Sequence, residues 1–471
     1  MKNMKKKYLI LLLALPFLFC SKRPGYNMLI KDSEKLFYEQ KQPYMASKSL
    51  IDEANNENED QLLFMMEAGY LLHSAEKFDI SNKVLLNADK KSEELAVSVT
   101  EETLAVLSSD TTKDYKPEDY ERVLLNMTLG LNFLLQEDYD SALVEFKKVN
   151  YKLNMIKEKT GRIYKVNLMA KYLASISAAY ADDLDYAYIE LKQIEDIKPG
   201  IPYVVRDMMK LCHKLKYMDD FKVLARKYPK YAYKHKDNLA EIIVVYEEGL
   251  SPIKESRGSL LEVEDMRKLL EASIQMSIAS QSATGVTLSG AMAMLSNADH
   301  PIPEYKIRDY DINKMIVTLE DDKGKKHYIE PVLMNDIENT MIRNFEDNYN
   351  KMKNKMVLKI AAKVVTAIVA QQLAEKTAKQ FKKTKGIAGL IGAAAGIATS
   401  AVLFSLEEPD LRCWHTIPAA FQAASLLIPQ GSYKMKVSYF NRNGELAWEK
   451  DSGTVELSSK KPGIFLFRTV E

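Results

Sequence analysis

Pairs of short helices that must pack against each other recur along the first half of this chain, and that recurrence narrows the available folds more than any other feature. The stretch 126-NMTLGLNFLLQEDYDSALVEFKKV-149 shows the unit. Gly130 and Phe133 fall on one run, residues 136–138 make a turn, and Ala142, Phe146 and Val149 fall on a second run. Apolar residues at intervals of three and four are the mark of a half-buried helix. Gly130 and Ala142 are small enough for two helices to approach, and Phe133 and Phe146 fill the seam. The skeleton returns in 68-AGYLLHSAEKFDISNKVLLNAD-89 as Gly69, Leu72, Ser81, Leu85 and Ala88. It returns again in 174-ASISAAYADDLDYAYIELKQIEDIKPG-200 as Ser175, Ala178, Ala187, Leu191 and Ile194, and more weakly at 44–54 as Ser47, Ile51 and Ala54.

Ser47 and Ser81 lie 34 positions apart, and this helix pair resembles a tetratricopeptide repeat. The later units are spaced by 61 and 45 positions, with the insert 101–120 between two of them. The resemblance implies a superhelix with a concave groove that binds segments of partner proteins. An irregular helical bundle is the alternative. The many tyrosines between Tyr115 and Tyr188 read mainly as helix-packing residues.

The chain opens MKNMKKKYLILLLALPFLFCSKRPG. Four lysines precede an apolar run from Tyr8 to Phe19, the plan of an export signal. A span of about 20 residues is needed to cross a bilayer as a helix, and this run is shorter and carries Pro16. Residues 1–20 are therefore set aside as a signal. Cys20 follows directly, so the segment looks like a bacterial lipoprotein signal with Cys20 as the lipidated residue, although Phe19 stands where a small residue is usual. Three acyl chains at about 0.8 kcal/mol per buried CH₂ make a lasting anchor. The expected location is the outer membrane, facing the periplasm. A plain signal peptide or an uncleaved anchor remains the other reading.

Past residue 235 the pattern changes. Residues 241–247 read as a strand, 258–282 as a helix and 283–304 as a loop. Residues 314–332 form a hairpin around an Asp-Gly turn, 335–405 return to helix, and 432–470 alternate as antiparallel strands with an Asn-Gly turn. The expected fold is α+β: an N-terminal helical array over 21–235, then a C-terminal domain over 236–471 with an antiparallel sheet or sandwich and inserted helices. Residues 386–406 hold 21 positions without a charge and read as a buried helix or, alternatively with 355–385, as a membrane-inserting hairpin.

The stretch 410-DLRCWHTIPAAFQ-422 gathers Asp410, Arg412, Cys413, Trp414 and His415. Two phrases, 119-DYERVLLNMTLGLNFLLQEDYDSALVEFKKVN-150 and 246-YEEGLSPIKES-256, together with 410–437, resemble a family of bacterial tetratricopeptide-type lipoproteins to which no activity is assigned. Asp410, Arg412, Trp414, Pro418 and Gly431 match its pattern, whereas Cys413 and His415 do not belong to it. The chemistry of the stretch points to a structural or binding motif, in which Arg412 is expected to pair with Asp410 or to stack on Trp414. Members are often encoded beside lipoproteins that activate penicillin-binding enzymes or belong to secretion systems, which implies envelope assembly.

No phosphate loop, HExxH or GxSxG occurs, and the three cysteines show no zinc spacing. A Cys212–Cys413 disulfide is available in principle after export. A formal net charge of +1 gives no footprint for nucleic acid. The expectation is a lipid-anchored scaffold that binds other envelope proteins, with no catalytic residues, no metal, no cofactor and no small-molecule substrate. An envelope enzyme centred on 410–415 is the competing class.

Overall fold

The computed structural model describes residues 26–102, 114–160, 167–231, 238–281, 283, 285–296, 298–381 and 409–471. Cys20 and residues 386–406 lie outside these, as does most of the insert 101–120. Among the described residues of the first half, every regular element is helical. α1 (Tyr26–Glu34) runs into one π-helical turn (Lys35–Glu39), followed by α2 (Pro43–Asn55), α3 (Gln61–Ser74), α4 (Phe78–Glu102) and α5 (Asp119–Leu135). Then come α6 (Tyr139–Thr160), α7 (Leu168–Tyr180), α8 (Leu184–Ile197), α9 (Pro202–Leu215) and α10 (Met218–Lys227).

One backbone device repeats through this array. Lys41, Glu76, Glu137, Asp182 and Lys216 all have left-handed φ angles between 56° and 66°. Each ends the first helix of a pair. In four of them the next residue donates its N–H five positions back, as in Lys77 to Leu72, Asp138 to Phe133, Asp183 to Ala178 and Tyr217 to Cys212, at 2.8–2.9 Å. These bonds satisfy carbonyls that a helix end leaves open. In the first pair the bond runs from Gln42 to Leu36, one residue longer, because the π turn inserts a residue. The turns therefore mark five units, and the fifth, α9 with α10, has no counterpart in the sequence reading.

The small residues do what their spacing implies. A Cβ on Gly69 would stand 2.4 Å from Leu85, and one on Gly130 would stand 2.7 Å from the Phe146 ring. The Ser81 hydroxyl donates to the Gly69 carbonyl at 2.7 Å. Ala142, Phe146, Ala187 and Leu191 are buried, while Phe133 packs at the edge of the core.

The second half contributes β1 (Leu239–Glu248), β2 (Ile253–Glu255), α11 (Glu264–Ser280), α12 (Leu288–Met294), β3 (Glu304–Lys306), β4 (Ile312–Glu320), β5 (Lys326–Ile329), β6 (Val332–Asp336), α13 (Ile337–Phe381), β7 (Ala420–Pro429), β8 (Gly431–Asn441), β9 (Leu446–Leu457) and β10 (Gly463–Arg468). One sheet has the order β10-β1-β7-β6 and a second the order β5-β4-β8-β9. All their pairings are antiparallel except β1 with β10. The first sheet is sandwiched between the array and the second sheet. On β1, Glu241 meets Tyr180 of α7 and Glu247 meets His73 of α3, while Tyr246 on the opposite face meets Tyr439 of the second sheet. A strand buried on both faces reads as a continuous apolar run, which is what Ile242 to Tyr246 shows.

One hydrophobic core runs from Tyr26 to Leu457 across the 235/236 boundary. A smaller one joins α11, α12 and α13 through residues such as Leu270, Ile274, Ile360 and Val364. Residues 288–294, expected as loop, are helical, and Thr287 caps them by accepting the Gly290 N–H. α13 is long and apolar enough to cross a membrane by length and composition, yet Met356, Val357, Ile360, Ala361, Val364 and Val365 bury one stripe of it in this satellite core.

Candidate functional site

The first helix of each pair faces inward. α3 is buried nearly all round, although Glu67 sits in the middle of its apolar run. α5 likewise buries Glu121. The groove these helices form is filled by the protein itself: residues 409–419 run through it without regular secondary structure before entering β7. An open concave groove in this part of the array, the expectation from the repeats, is therefore corrected. A chain segment does lie in it, and the segment is its own.

The grip is made on the backbone. Glu67 accepts the N–H groups of His415 at 2.6 Å and Thr416 at 3.2 Å, and the Thr416 hydroxyl at 2.6 Å. The single Tyr26 hydroxyl proton is shared between Glu67 and the Cys413 carbonyl, each 2.7 Å from the oxygen. Glu121 accepts the Trp414 N–H at 2.9 Å and the Tyr115 hydroxyl at 2.6 Å. The His415 carbonyl accepts from Tyr38 at 2.7 Å and from Arg308. Peptide groups taken out of water need such partners, since each one left unpaired costs about 1–3 kcal/mol.

Asp410 and Arg412 form the expected pair, with Arg412 Nε and Nη2 on the two Asp410 oxygens at 2.9 and 2.7 Å. Arg412 Nη1 adds Asp60 at 2.7 Å, so the guanidinium bridges the segment to the start of α3. The aromatic partner differs from the expectation. The guanidinium lies over Tyr115, 5.6 Å from the ring centre, and Trp414 instead meets Tyr70 edge-on at 5.9 Å. Pro418 is buried at the end of the segment. Gly431 opens β8 with φ of +152° in open space, so backbone conformation rather than room selects glycine there.

His415 Nδ1 lies 3.0 Å from Glu34. Cys413 is completely buried. Cys212 and Cys413 are both free thiols, so the disulfide is not formed. No cluster of three or more metal-ligating side chains occurs among the described residues.

Sequence reading missed the buried charges Glu67, His73 and Glu121 and the half-buried Glu34 and Arg308. The one available signal was a carboxylate inside an apolar helix, as in 61-QLLFMMEAGYLL-72. Their ionisation follows from their surroundings. Burial and the nearby Glu118 charge push Glu121 up to about 7. Burial drags His415 down, but the Cys413 sulfur and the Glu34 carboxylate outweigh it and push it up to about 10. Burial also opposes charge on His73, and Glu247, at 3.1 Å, outweighs it and raises the imidazole. The folded state thus holds both imidazole protons more tightly than an unfolded chain, where histidine titrates near about 6.5. Their stabilisation is complete below that pH and is lost as pH rises toward about 10 for His415. The urea midpoint is expected to fall across this window, and His415→Gln to flatten the fall; a flat wild-type profile would contradict the assignment.

No family model matches the chain, and the search of curated proteins finds no match. Among solved structures, the nearly identical TPR-like repeats of a Podosopora anserina chain assigned as a kinesin light chain align with 11% identity and a TM-score of 0.29, over 44% of this chain and 93% of that one. The apo form of RapI aligns with 10% identity and a TM-score of 0.32, over 81% of this chain and 76% of that one. Likeness at this level carries no argument. The array rests on its own five turns and on the Gly69 and Gly130 contacts. The fold so defined is α+β: a tetratricopeptide-like helical array closed by a two-sheet β unit.

Proposed function

We propose that this protein is a non-catalytic scaffold of the bacterial cell envelope, fixed by lipid on Cys20 to the outer membrane and facing the periplasm. The observation that carries the scaffold reading is the helical array braced along its inner face by the segment 409–419 and the first sheet. Charged groups such as Glu67, His73 and Glu247 are spent on holding that assembly together, and the Cys413 thiol is buried within it. A rigid array of this kind acts by shape, presenting surface to other proteins. The anchor reading is supported by the charged start, the short apolar run and the cysteine after it. The partners are other envelope proteins, in peptidoglycan assembly or secretion; neither nucleic acid nor a cofactor is called for.

Cys20→Ala is expected to move the protein from the membrane fraction to the soluble periplasmic fraction or to leave its signal uncleaved. Mass spectrometry of the native protein is expected to find acyl chains on the residue 20 terminus. Retention of the variant in the membrane with a processed terminus would end the lipid reading. In vivo cross-linking tests the scaffold reading, and an absence of any envelope protein linked to the wild-type chain would end it.

A further inference from the structure

The satellite core takes up one side of α13 and leaves the other to solvent. Ile360, Ala361 and Val364 lie in that core, 0–3% exposed. Steps of three and four along a helix bring Leu358, Ala362, Thr366, Ala370 and Leu373 to the opposite side. All five are exposed there, Leu358 at 56% and Leu373 at 59%. The water face of an ordinary surface helix is polar, with charges of both signs. This one is neither. From Val364 to Leu373 no charged residue occurs at all.

The charges that precede this stretch have one sign. Residues 348–373 hold lysines at 351, 353, 355, 359 and 363, and neither Asp nor Glu. Lys353 is taken by Asp265 of α11 at 2.7 Å. Lys351 and Lys355 have no carboxylate within salt-bridge distance among the described residues. The other α11 acids do not serve them: Glu264 and Glu271 pair with Arg267, and Glu264 also with Lys268. A helix face of lysines and exposed leucines without a carboxylate matches the boundary between the phosphates and the acyl chains of an anionic bilayer. Lysine stems lie along the apolar layer while their ammonium groups reach the phosphates. A second copy fits less well, because a two-fold contact would set this acid-free face against itself and leave its lysines without counter-charges.

We propose that α13 lies flat on the surface of an anionic phospholipid bilayer, with Leu358 and Leu373 at the acyl boundary and Lys351 and Lys355 among the phosphates. Lying flat is what the fold allows. A spanning α13 would have to pull Ile360, Ala361 and Val364 out of the satellite core, whereas a flat one keeps them there. This deepens the anchored-scaffold reading, on which it rests, by fixing which side of the molecule turns to the membrane.

The test reconstitutes the full chain from detergent into vesicles of phosphatidylethanolamine and phosphatidylglycerol that contain a nitroxide-bearing phospholipid. A bimane label sits on Leu358→Cys or, as the control, on Val223→Cys, at a position 60% exposed on α10 and outside the satellite core. Cys212 and Cys413 are buried, and the wild-type chain carried through labelling gives the background. Quenching at 358 is expected to exceed quenching at 223 by about twofold or more. The excess is expected to vanish when Lys351→Glu and Lys355→Glu are combined, and when phosphatidylcholine replaces phosphatidylglycerol. Equal quenching at the two sites, or an excess that survives either change, would overturn the proposal. So would a 358 label shielded from the lipid nitroxide and from aqueous iodide alike, which would assign the face to a second copy or another protein. Vesicle flotation and the mass of the residue 20 terminus are scored on the same sample. Equal quenching in vesicles that float with a lipidated chain removes the α13 face alone, whereas a chain without acyl groups removes the anchor reading.

Discussion

Replacing Glu67 by alanine is expected to lower stability by about 3–5 kcal/mol, because it strips the acceptor from several buried donors at once. The donors are the N–H groups of His415 and Thr416 and the Thr416 hydroxyl, together with the Tyr26 hydroxyl, which keeps the Cys413 carbonyl as a second acceptor. None can turn to solvent, since Tyr26, His415 and Thr416 are all buried. The loss is less than a sum over four bonds because a water could enter the vacated space and serve some of them. A domain is typically stable by about 5–15 kcal/mol, so the change is large on that scale. Glu67→Gln is the informative companion. Burial raises the Glu67 carboxyl above its ordinary range, and the amide keeps one carbonyl oxygen in the same place. It should therefore retain part of the grip and cost roughly half as much. Urea denaturation read by circular dichroism gives both numbers, and hydrogen exchange at 414–416 locates the effect. If Glu67→Ala lies within 1 kcal/mol of wild type, in the range of an ordinary surface change, these carboxylate contacts do not hold the segment.

The same residues explain what could be read from the sequence and what could not. Helix pairs were legible wherever a small residue faces a large one, as Gly130 faces Phe146. The fifth pair was not, because Phe221 stands at the position after the turn that Ser81, Ala142 and Ala187 hold in the other units, and the left-handed Lys216 marks the turn only in the structure. Strands with one exposed face were legible through alternation, as in β8, where Tyr433, Met435 and Val437 point inward and Ser432, Lys434 and Lys436 outward. β7 gave no such signal. Its sequence AFQAASLLIP is almost wholly buried and alanine-rich, and only pairing with β1 and β6 makes it a strand. Within 410–415, the Asp410–Arg412 pair was legible because both partners sit two residues apart. Tyr115, Glu121 and Glu67 were not, because partners roughly 300 residues away in sequence come near only through the fold. Long-range contacts of this kind leave no local pattern for a single sequence to display.

Trp414 provides the second large effect, and here the shape of the result discriminates between causes. It is the largest fully buried side chain in the protein, it lies edge-on to Tyr70, and its backbone N–H is fixed by Glu121. Trp414→Ala removes the whole indole from the junction of array and segment, and large-to-small changes of this size cost about 3–5 kcal/mol in transfer and cavity terms. The indole Nε1, however, has no hydrogen-bond partner in the structure. A buried donor without a partner carries a penalty of about 1–3 kcal/mol, which Trp414→Phe would relieve while giving up only part of the apolar volume. The two terms oppose each other, so Trp414→Phe is expected to fall within about 1.5 kcal/mol of wild type, the range of tolerated core swaps. Equilibrium unfolding of the two variants separates the possibilities. A phenylalanine variant as damaged as the alanine variant would mean that the indole N–H does find a partner, a bound water or a ligand, and that Trp414 is a polar anchor rather than a packing one.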